Sequence, residues 1–417
     1  MTTARGVRPG SPDARPDHGD RDGLPRTAWL EIDLDAIRDN LAIIRMLAGE
    51  ETPVHPVVKA DAYGHGALPV ARALAAAGAD GFCVATIDEA LALRRGGIRL
   101  PILALYPVPP AWSVEAARRG IAITADDTNL LASTLAALTA RPPRRRLGIH
   151  LEVETGLGRG GFAGDALVAA ARAVSAAPGA RLEGLWTHLQ APEDAGITAR
   201  QVARFEAAGT ALREAGVRLP RRHVRASGSL VANGVASYDG VRPGLSVYGL
   251  VPDEIAGPML DATAARLRPA LSLHARPVRV AELPPGWGIG YGPTFRTSRP
   301  SRIATLPLGY GDGWSRALSN RADALVRGGR VPLVGNVAMD AVMADVTDVP
   351  GPPVTVADEF VLIGRQGQVE IAAADVARAR TTNTWEVVTA MAQRLPRVYH
   401  AASGPVAVRT LVSGGDG

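Results

Sequence analysis

From about residue 54 the chain alternates short apolar runs with helix-like segments, and no other feature narrows its possible folds so far. "VHPVVKA" is followed by "ALPVARALAAAG", "GFCVA" by "TIDEALALRRGG", "PILAL" by "AWSVEAARRG", and "IAITA" by "NLLASTLAALTA". "RLGIHLEVE" then precedes "DALVAAARAVSAA", "RLEGLWTH" precedes "ARQVARFEAAGTALREAG", and "HVRAS" and "GVRPGLSVYG" close the series. Strands buried on both faces read as unbroken apolar runs, and parallel neighbours need a crossover long enough for a helix. The units number about eight, so the expected fold is α/β, with a closed (β/α)8 TIM-type barrel over roughly 35–265.

After about residue 268 the pattern changes. "ALSLHARPVRVAEL" alternates, "RIATLPLGY" follows, and "ALVRGGRVPLVG" reads as a hairpin on Gly328-Gly329. Helical pattern returns only near "AADVARAR" and "NTWEVVTAMAQRL". The expected organisation is a disordered tail over 1–26, a barrel domain over 27–268, a mostly-β domain over 269–400 and a C-terminal tail over 401–417. "TAWLEIDL" precedes the barrel and is expected to pair with the β domain.

Composition removes several classes of function. Apolar residues make up 47% of the chain and charged residues 21%, as in soluble globular proteins. Residues 1–26 contain no apolar run that could serve as a signal peptide, and no stretch approaches the roughly 18 apolar residues of a membrane span. Cys83 is the only cysteine, which rules out an intrachain disulfide, argues against a zinc cluster and suits a reducing cytoplasm. The net charge is +5, yet the densest basic run, "RPPRRR" at 141–146, has no interleaved aromatics and reads as a solvated loop rather than a nucleic-acid surface.

Lys59 is the only lysine; every other cation among the 46 Lys plus Arg residues is arginine. In a barrel of this kind chemistry sits at the C-terminal ends of the strands. Lys59 closes "VHPVVK", Glu152 and Arg159 lie at and beyond the end of "RLGIHLEVETGLGR", and His188 ends "RLEGLWTH". Ser227 ends "HVRAS" and Arg242 opens "VRPGLSVYG". Burial disfavours an ammonium, so an amine at an apolar strand end is lowered below the ordinary value of about 10.4 and freed to attack a carbonyl. The usual partner of such a lysine is pyridoxal 5′-phosphate, bound as a Schiff base. "RASGS" and "RPGLS" add Gly-flanked turns, with Ser227 and Gly244, that can cradle a phosphate.

Eight segments in order, "VVKADAYGHGA", "ETGLGRGGF", "EGLWTHL", "VRPGLSVYGL", "IGYGPTF", "LPLGYGDGWSR", "VAMDAVMADVT" and "RLPRVY", resemble the signatures of the alanine racemase family. That resemblance implies a (β/α)8 barrel, a C-terminal β domain and a head-to-tail homodimer with composite active sites that makes D-alanine for the cell wall. It implies that Lys59 holds the cofactor and is the base on one face of Cα, that Tyr63 contacts the phosphate and that His188 packs on the pyridine ring. Ser227, Gly244 and Leu245 would hold the phosphate, and Arg242 would face the ring nitrogen. Tyr291 would be the opposite-face base, reaching in from the second subunit. Met339 would offer its N–H to the substrate carboxylate, with Tyr310 and Arg159 nearby. Two bases fit the chemistry, because racemisation removes a proton from one face of Cα and returns one to the other. An arginine at the ring nitrogen leaves that nitrogen unprotonated and limits side reactions.

Four positions depart from the family pattern. Glu152 stands where a lysine, often carbamylated, is usual; the charge is kept on a shorter chain, so that a water or a shifted Arg159 is expected. Ala226 stands for Asn, Ala338 for Cys, and Trp385 for the Tyr that helps bind phosphate and shapes a small-substrate pocket. Glu152 and Trp385 keep open the same chemistry on another amino acid, such as serine. A cofactor-binding protein without turnover and a decarboxylase of the same barrel class are the alternatives from other classes.

Overall fold

The computed structural model describes residues 21–232, 234–255 and 260–412. The chain's first strand, β1 (Ala28–Asp33), does not join the barrel. The next six, β2 (Phe82–Val84), β3 (Ile102–Pro107), β4 (Ile121–Ala125), β5 (Leu147–Glu152), β6 (Ala180–Trp186) and β7 (Arg221–His223), form a parallel sheet in sequence order. Helices cross between them, as the alternating pattern requires.

Two further segments close the ring without forming full ladders. His55 and Val57 donate to the carbonyls of Val241 and Pro243 (2.9 and 2.7 Å), and Val58 donates to Cys83 (2.8 Å). Arg242 donates to Arg225 (2.9 Å) on the far side. The expected eight strands are therefore six strands joined by ladders and two reduced to isolated bridges. Pro53, Pro56 and Pro243 lie in these two segments, and a proline has no N–H to give a ladder.

The second sheet has eleven strands. Its members are β1, β8 (Leu271–Ala275), β9 (Arg279–Leu283), β10 (Ser301–Leu306), β11 (Asp323–Val326), β12 (Gly329–Val334), β13 (Val342–Asp345), β14 (Phe360–Gln366), β15 (Val369–Ile371), β16 (Arg397–Ala401) and β17 (Gly404–Arg409). As expected of the opening segment, β1 lies between β16, parallel, and β8, antiparallel. The hairpin of β11 and β12 turns on Arg327 and Gly328, one residue earlier than expected, and both have positive φ, as a tight two-residue hairpin turn demands.

The ends of the chain differ from expectation. The segment 401–417, expected as a tail, carries β17, which pairs antiparallel with β16; "GPVAVR" keeps an alternating face behind its Gly-Pro start. Of the expected tail 1–26, residues 1–20 lie outside the described residues. Arg21 and Arg26 are tied down, to Glu31 (2.7 Å) and to Asp312 (2.6 Å). No helix among the described residues is long and apolar enough to cross a membrane.

Candidate active site

A cavity of about 440 Å³ opens at the C-terminal ends of the barrel strands. Lys59, Tyr63, Arg159, His188, Ser227, Arg242, Gly244 and Leu245 all line it, so eight of the expected site residues come together in one protomer. Trp385 lines it as well.

Lys59 enters the cavity from an unusual piece of backbone. Ala60, Asp61, Ala62 and Tyr63 have φ of 51°, 55°, 55° and 52°, so the turn after the lysine winds left-handed. Each costs roughly 1–2 kcal/mol relative to the right-handed form, and such strain persists only where the surroundings enforce it. Glu89 accepts from the Ala60 N–H (2.6 Å), and Asp61 accepts from the Ala67 N–H (2.8 Å). Arg397 donates to the Gly64 carbonyl (2.8 Å), and His65, fully buried, donates through Nδ1 to the carbonyls of Ala62 and Tyr63 (3.0 and 2.9 Å). The Lys59 amine itself has no hydrogen-bond partner among the described residues. Burial, reinforced by the Arg159 charge, lowers its pKa below that of an ordinary lysine.

Opposite the lysine, Ser227 Oγ accepts from the N–H groups of Gly244 (2.8 Å) and Ser246 (3.2 Å) and lies 3.1 Å from Ser246 Oγ. Hydroxyls and backbone donors thus converge on a small volume, the geometry that receives an anion. A Cβ on Gly244 would lie 2.5 Å from Tyr63 Oη, so the absence of a side chain there is what lets the phenol reach the cradle. Burial raises the Tyr63 pKa well above the usual phenol range, which keeps it a neutral donor.

Arg242 is 2% exposed and has no carboxylate partner. Its Nη1 donates to the His223 carbonyl (2.8 Å) and to His223 Nδ1, and its Nη2 donates to the Thr187 carbonyl (2.9 Å). The guanidinium lies 4.7 Å above the Trp186 ring. Among the described residues no acceptor meets its Nε–H, which is left for the cavity. Because arginine only donates, His223 Nδ1 must accept. Neutral His223 therefore carries its proton on Nε2 and donates it to His150 Nδ1, 2.8 Å away. Burial and the Arg242 charge hold the His223 pKa well below its usual range. Burial pushes Arg242 down to about 10, opposed by Cys83 and Glu152 and aided by the Arg159 charge, so it stays charged at neutral pH. His188, half-buried beside Arg242, Arg159 and Lys59, is pushed down to about 3, by loss of solvent first and then by those charges, and stays neutral.

Glu152, buried at the end of β5, does not line the cavity, and its Oε1 accepts from Arg159 Nη2 at 3.1 Å. The shorter side chain thus reaches Arg159 directly, and the expected intervening water is not needed. Burial raises the Glu152 pKa, and the Arg159 charge opposes that rise.

Tyr291, Tyr310 and Met339 are absent from this cavity. Tyr291 is 77% exposed, Met339 52% and Tyr310 44%. They belong to neighbouring segments: Tyr310 and Gly311 donate to the carbonyls of Ala338 and Met339 (3.0 and 2.9 Å), and Asn336 Nδ2 donates to the Tyr291 carbonyl (2.9 Å). Residues that the sequence reading passed over include Trp186, His223 and Glu89. Trp186 and His223 stood in quoted strand-end segments, "EGLWTH" and "HVRAS", but only their neighbours were taken.

The sequence matches the model of the alanine racemase N-terminal domain over residues 32–252 and that of the C-terminal domain over 270–399. The chain belongs to the alanine racemase family. Among its relatives, an alanine racemase of Symbiobacterium thermophilum is 40% identical over 387 residues, covering 91% of this chain and 98% of the relative. The crystal structure of alanine racemase from Bacillus anthracis with bound L-Ala-P superposes with a TM-score of 0.87 at 33% identity, covering 93% of this chain and 98% of that one. A histidine racemase from Leuconostoc mesenteroides superposes with a TM-score of 0.80 at 28% identity, covering 92% of this chain and 100% of that one. Racemases named for two different amino acids thus share this fold.

Proposed function

We propose that this chain interconverts L- and D-alanine with pyridoxal 5′-phosphate as cofactor, as a homodimer in the cytoplasm. Residues 27–268 are the cofactor-binding barrel in this reading, and residues 269–400 lend the opposing base. The observation that carries it is the sole lysine, its amine without a hydrogen-bond partner among the described residues, facing a cavity whose other walls hold an anion cradle and a buried arginine that forms no ion pair with a described carboxylate.

The residues present fit the cofactor. Ser227, Gly244, Leu245 and Tyr63 would hold its phosphate, Arg242 Nε–H would meet its ring nitrogen, His188 would lie against its ring, and Lys59 would bind its aldehyde. When bound, the cofactor would supply an electron sink that makes the Cα–H of the substrate acidic. Lys59 Nζ, with its pKa lowered by burial, takes or returns the proton on one face of Cα. Tyr291 Oη from a second copy of the chain does so on the other face, which its exposure in the single chain supports. Arg242 keeps its own proton, so it stabilises charge at the ring nitrogen without protonating it. Arg159, fixed by Glu152, and Met339 N–H from the second copy orient the substrate carboxylate.

Incubation of the purified protein with L-alanine in deuterated water should yield D-alanine carrying deuterium at Cα. No exchange with any amino acid would leave a binding protein, and release of carbon dioxide would indicate a decarboxylase. A second reading, racemisation of another amino acid, is favoured by Trp385 on the cavity wall and by the likeness to a histidine racemase. A higher kcat/KM for serine or histidine than for alanine would decide for it.

A further inference from the structure

The left-handed turn that presents Lys59 is held from two sides. On the barrel side Glu89 and Ala67 bond to Ala60 and Asp61 (2.6 and 2.8 Å). On the other side two arginines reach across from the second sheet. Arg397, on β16, is fully buried and donates to four carbonyls, those of Gly64, Met391, Ala392 and Leu395, so it serves the packing of the whole junction.

Arg409, on β17, is different. Among the described residues its side-chain hydrogen bonds end on one carboxylate, that of Asp61, two residues after Lys59: Nη1 donates to Oδ1 at 2.9 Å and Nη2 donates to Oδ2. This fork-to-fork pair spans 348 positions of sequence. β17 is the outermost strand of its sheet, paired only with β16, so the sheet does not depend on it for continuity. Four consecutive L-residues at positive φ are a conformation the segment would leave without external restraint, and Asp61 is the second of the four.

We infer, on the reading of Lys59 as the reactive amine, that Arg409 is a positioning residue for it: the β17 guanidinium clamps Asp61 and so fixes the turn that aims Lys59 Nζ into the cavity. The segment beyond residue 400 thereby has a part in the chemistry. The Ser227 and Gly244 part of the phosphate cradle lies on other segments, and Tyr63, the last residue of the turn, is the one cradle residue that the clamp also holds.

The clamp is tested in the full-length chain freed of cofactor, with two probes. Pyridoxal phosphate reports covalent attachment to Lys59, followed by borohydride quenching and mass measurement. Pyridoxamine phosphate, which has no aldehyde, reports the cradle alone. Arg409→Gln should slow covalent attachment about tenfold and weaken pyridoxamine phosphate binding by no more than Tyr63→Phe does. Arg409→Lys should recover much of the rate. Asp61→Asn cuts the same bond from the barrel side and should match Arg409→Gln, with the double variant no slower than either single one. Unchanged attachment in both single variants, or equal loss of attachment and pyridoxamine phosphate binding, would overturn the inference. Failure of the wild-type chain to attach the cofactor would instead refute the assignment of Lys59.

Discussion

Arg159 and Glu152 show how one exchanged residue can keep a function by another chemical route. The family pattern places a lysine where Glu152 stands, and a lysine is neutral or cationic there unless carbon dioxide modifies it. Glu152 is a carboxylate from the start, 6% exposed, and in direct contact with Arg159. Bicarbonate should therefore make no difference to activity, measured in degassed and in bicarbonate-supplemented buffer; a bicarbonate requirement would contradict the assignment. Glu152→Gln keeps the shape but removes the charge, and a hydrogen bond between charged partners is worth about 1.5–3 kcal/mol. The expected loss is at least about tenfold in kcat/KM, read from steady-state kinetics, and an unchanged value would show that Arg159 needs no anionic partner. Among single residues the sequence was most legible where chemistry is rare: an only lysine, a strand-end histidine, a glycine beside a serine. It was least legible where the role depends on a distant partner. Nothing local marks His223 as the acceptor for Arg242 or Arg409 as the partner of Asp61.

At the scale of elements, the parallel strands were readable because burial on both faces leaves unbroken apolar runs, as in "PILAL" and "IAITA". The two strands that shrink to bridges carry prolines, and a pattern of apolarity does not count missing N–H donors. β17 was missed because Ser403, Gly404 and Pro405 look like the start of a tail. The left-handed turn was illegible for a different reason: Ala60, Asp61 and Ala62 have no preference for positive φ, and the conformation is imposed by bonds from remote segments. Gly64 completes that turn with φ of 81°, and a Cβ there would fall 2.2 Å from the Val388 carbonyl oxygen. Gly64→Ala should accordingly cost about 2 kcal/mol or more, seen as a lower melting temperature together with slower cofactor attachment. A variant as stable as the wild type would mean that the turn relaxes freely.

The whole molecule holds half of its expected site in each domain, and the two halves do not meet within one chain. Trp287, Tyr291, Met339 and Tyr310 leave a run of large apolar side chains exposed on the β domain. On the proposed reading, a head-to-tail pair of chains would cover such a face and complete both sites at once. Mixing Lys59→Ala with Tyr291→Ala, each inactive alone, should restore activity: every mixed dimer then contains one site with both native residues. Random exchange predicts about a quarter of wild-type activity, and no recovery after exchange would place both bases on one chain. Histidines give the molecule a second global property. His65 and His150 are pushed down to about 4 and His188 to about 3, all by burial first, against 6.5 in the unfolded chain. Their folded values are depressed, so the unfolded chain takes up protons first. Stability present above pH 6.5 is lost as the pH falls towards 4, by at most about 1.4 kcal/mol per pH unit for the fully buried His65 and by less for the half-buried His150 and His188. The melting temperature should fall steeply across that window, and a flat profile would indicate that these rings protonate without unfolding.

The central claim is that the one lysine of this chain carries the cofactor. Borohydride reduction of the cofactor-loaded protein, followed by peptide mass mapping, tests it most directly, because Lys59 and the terminal amine are the only two amines that can be trapped. The account predicts a phosphopyridoxyl mass on the peptide holding Lys59 and none after Lys59→Arg. An unmodified Lys59 peptide, in protein that retains its cofactor and its racemase activity, would contradict it.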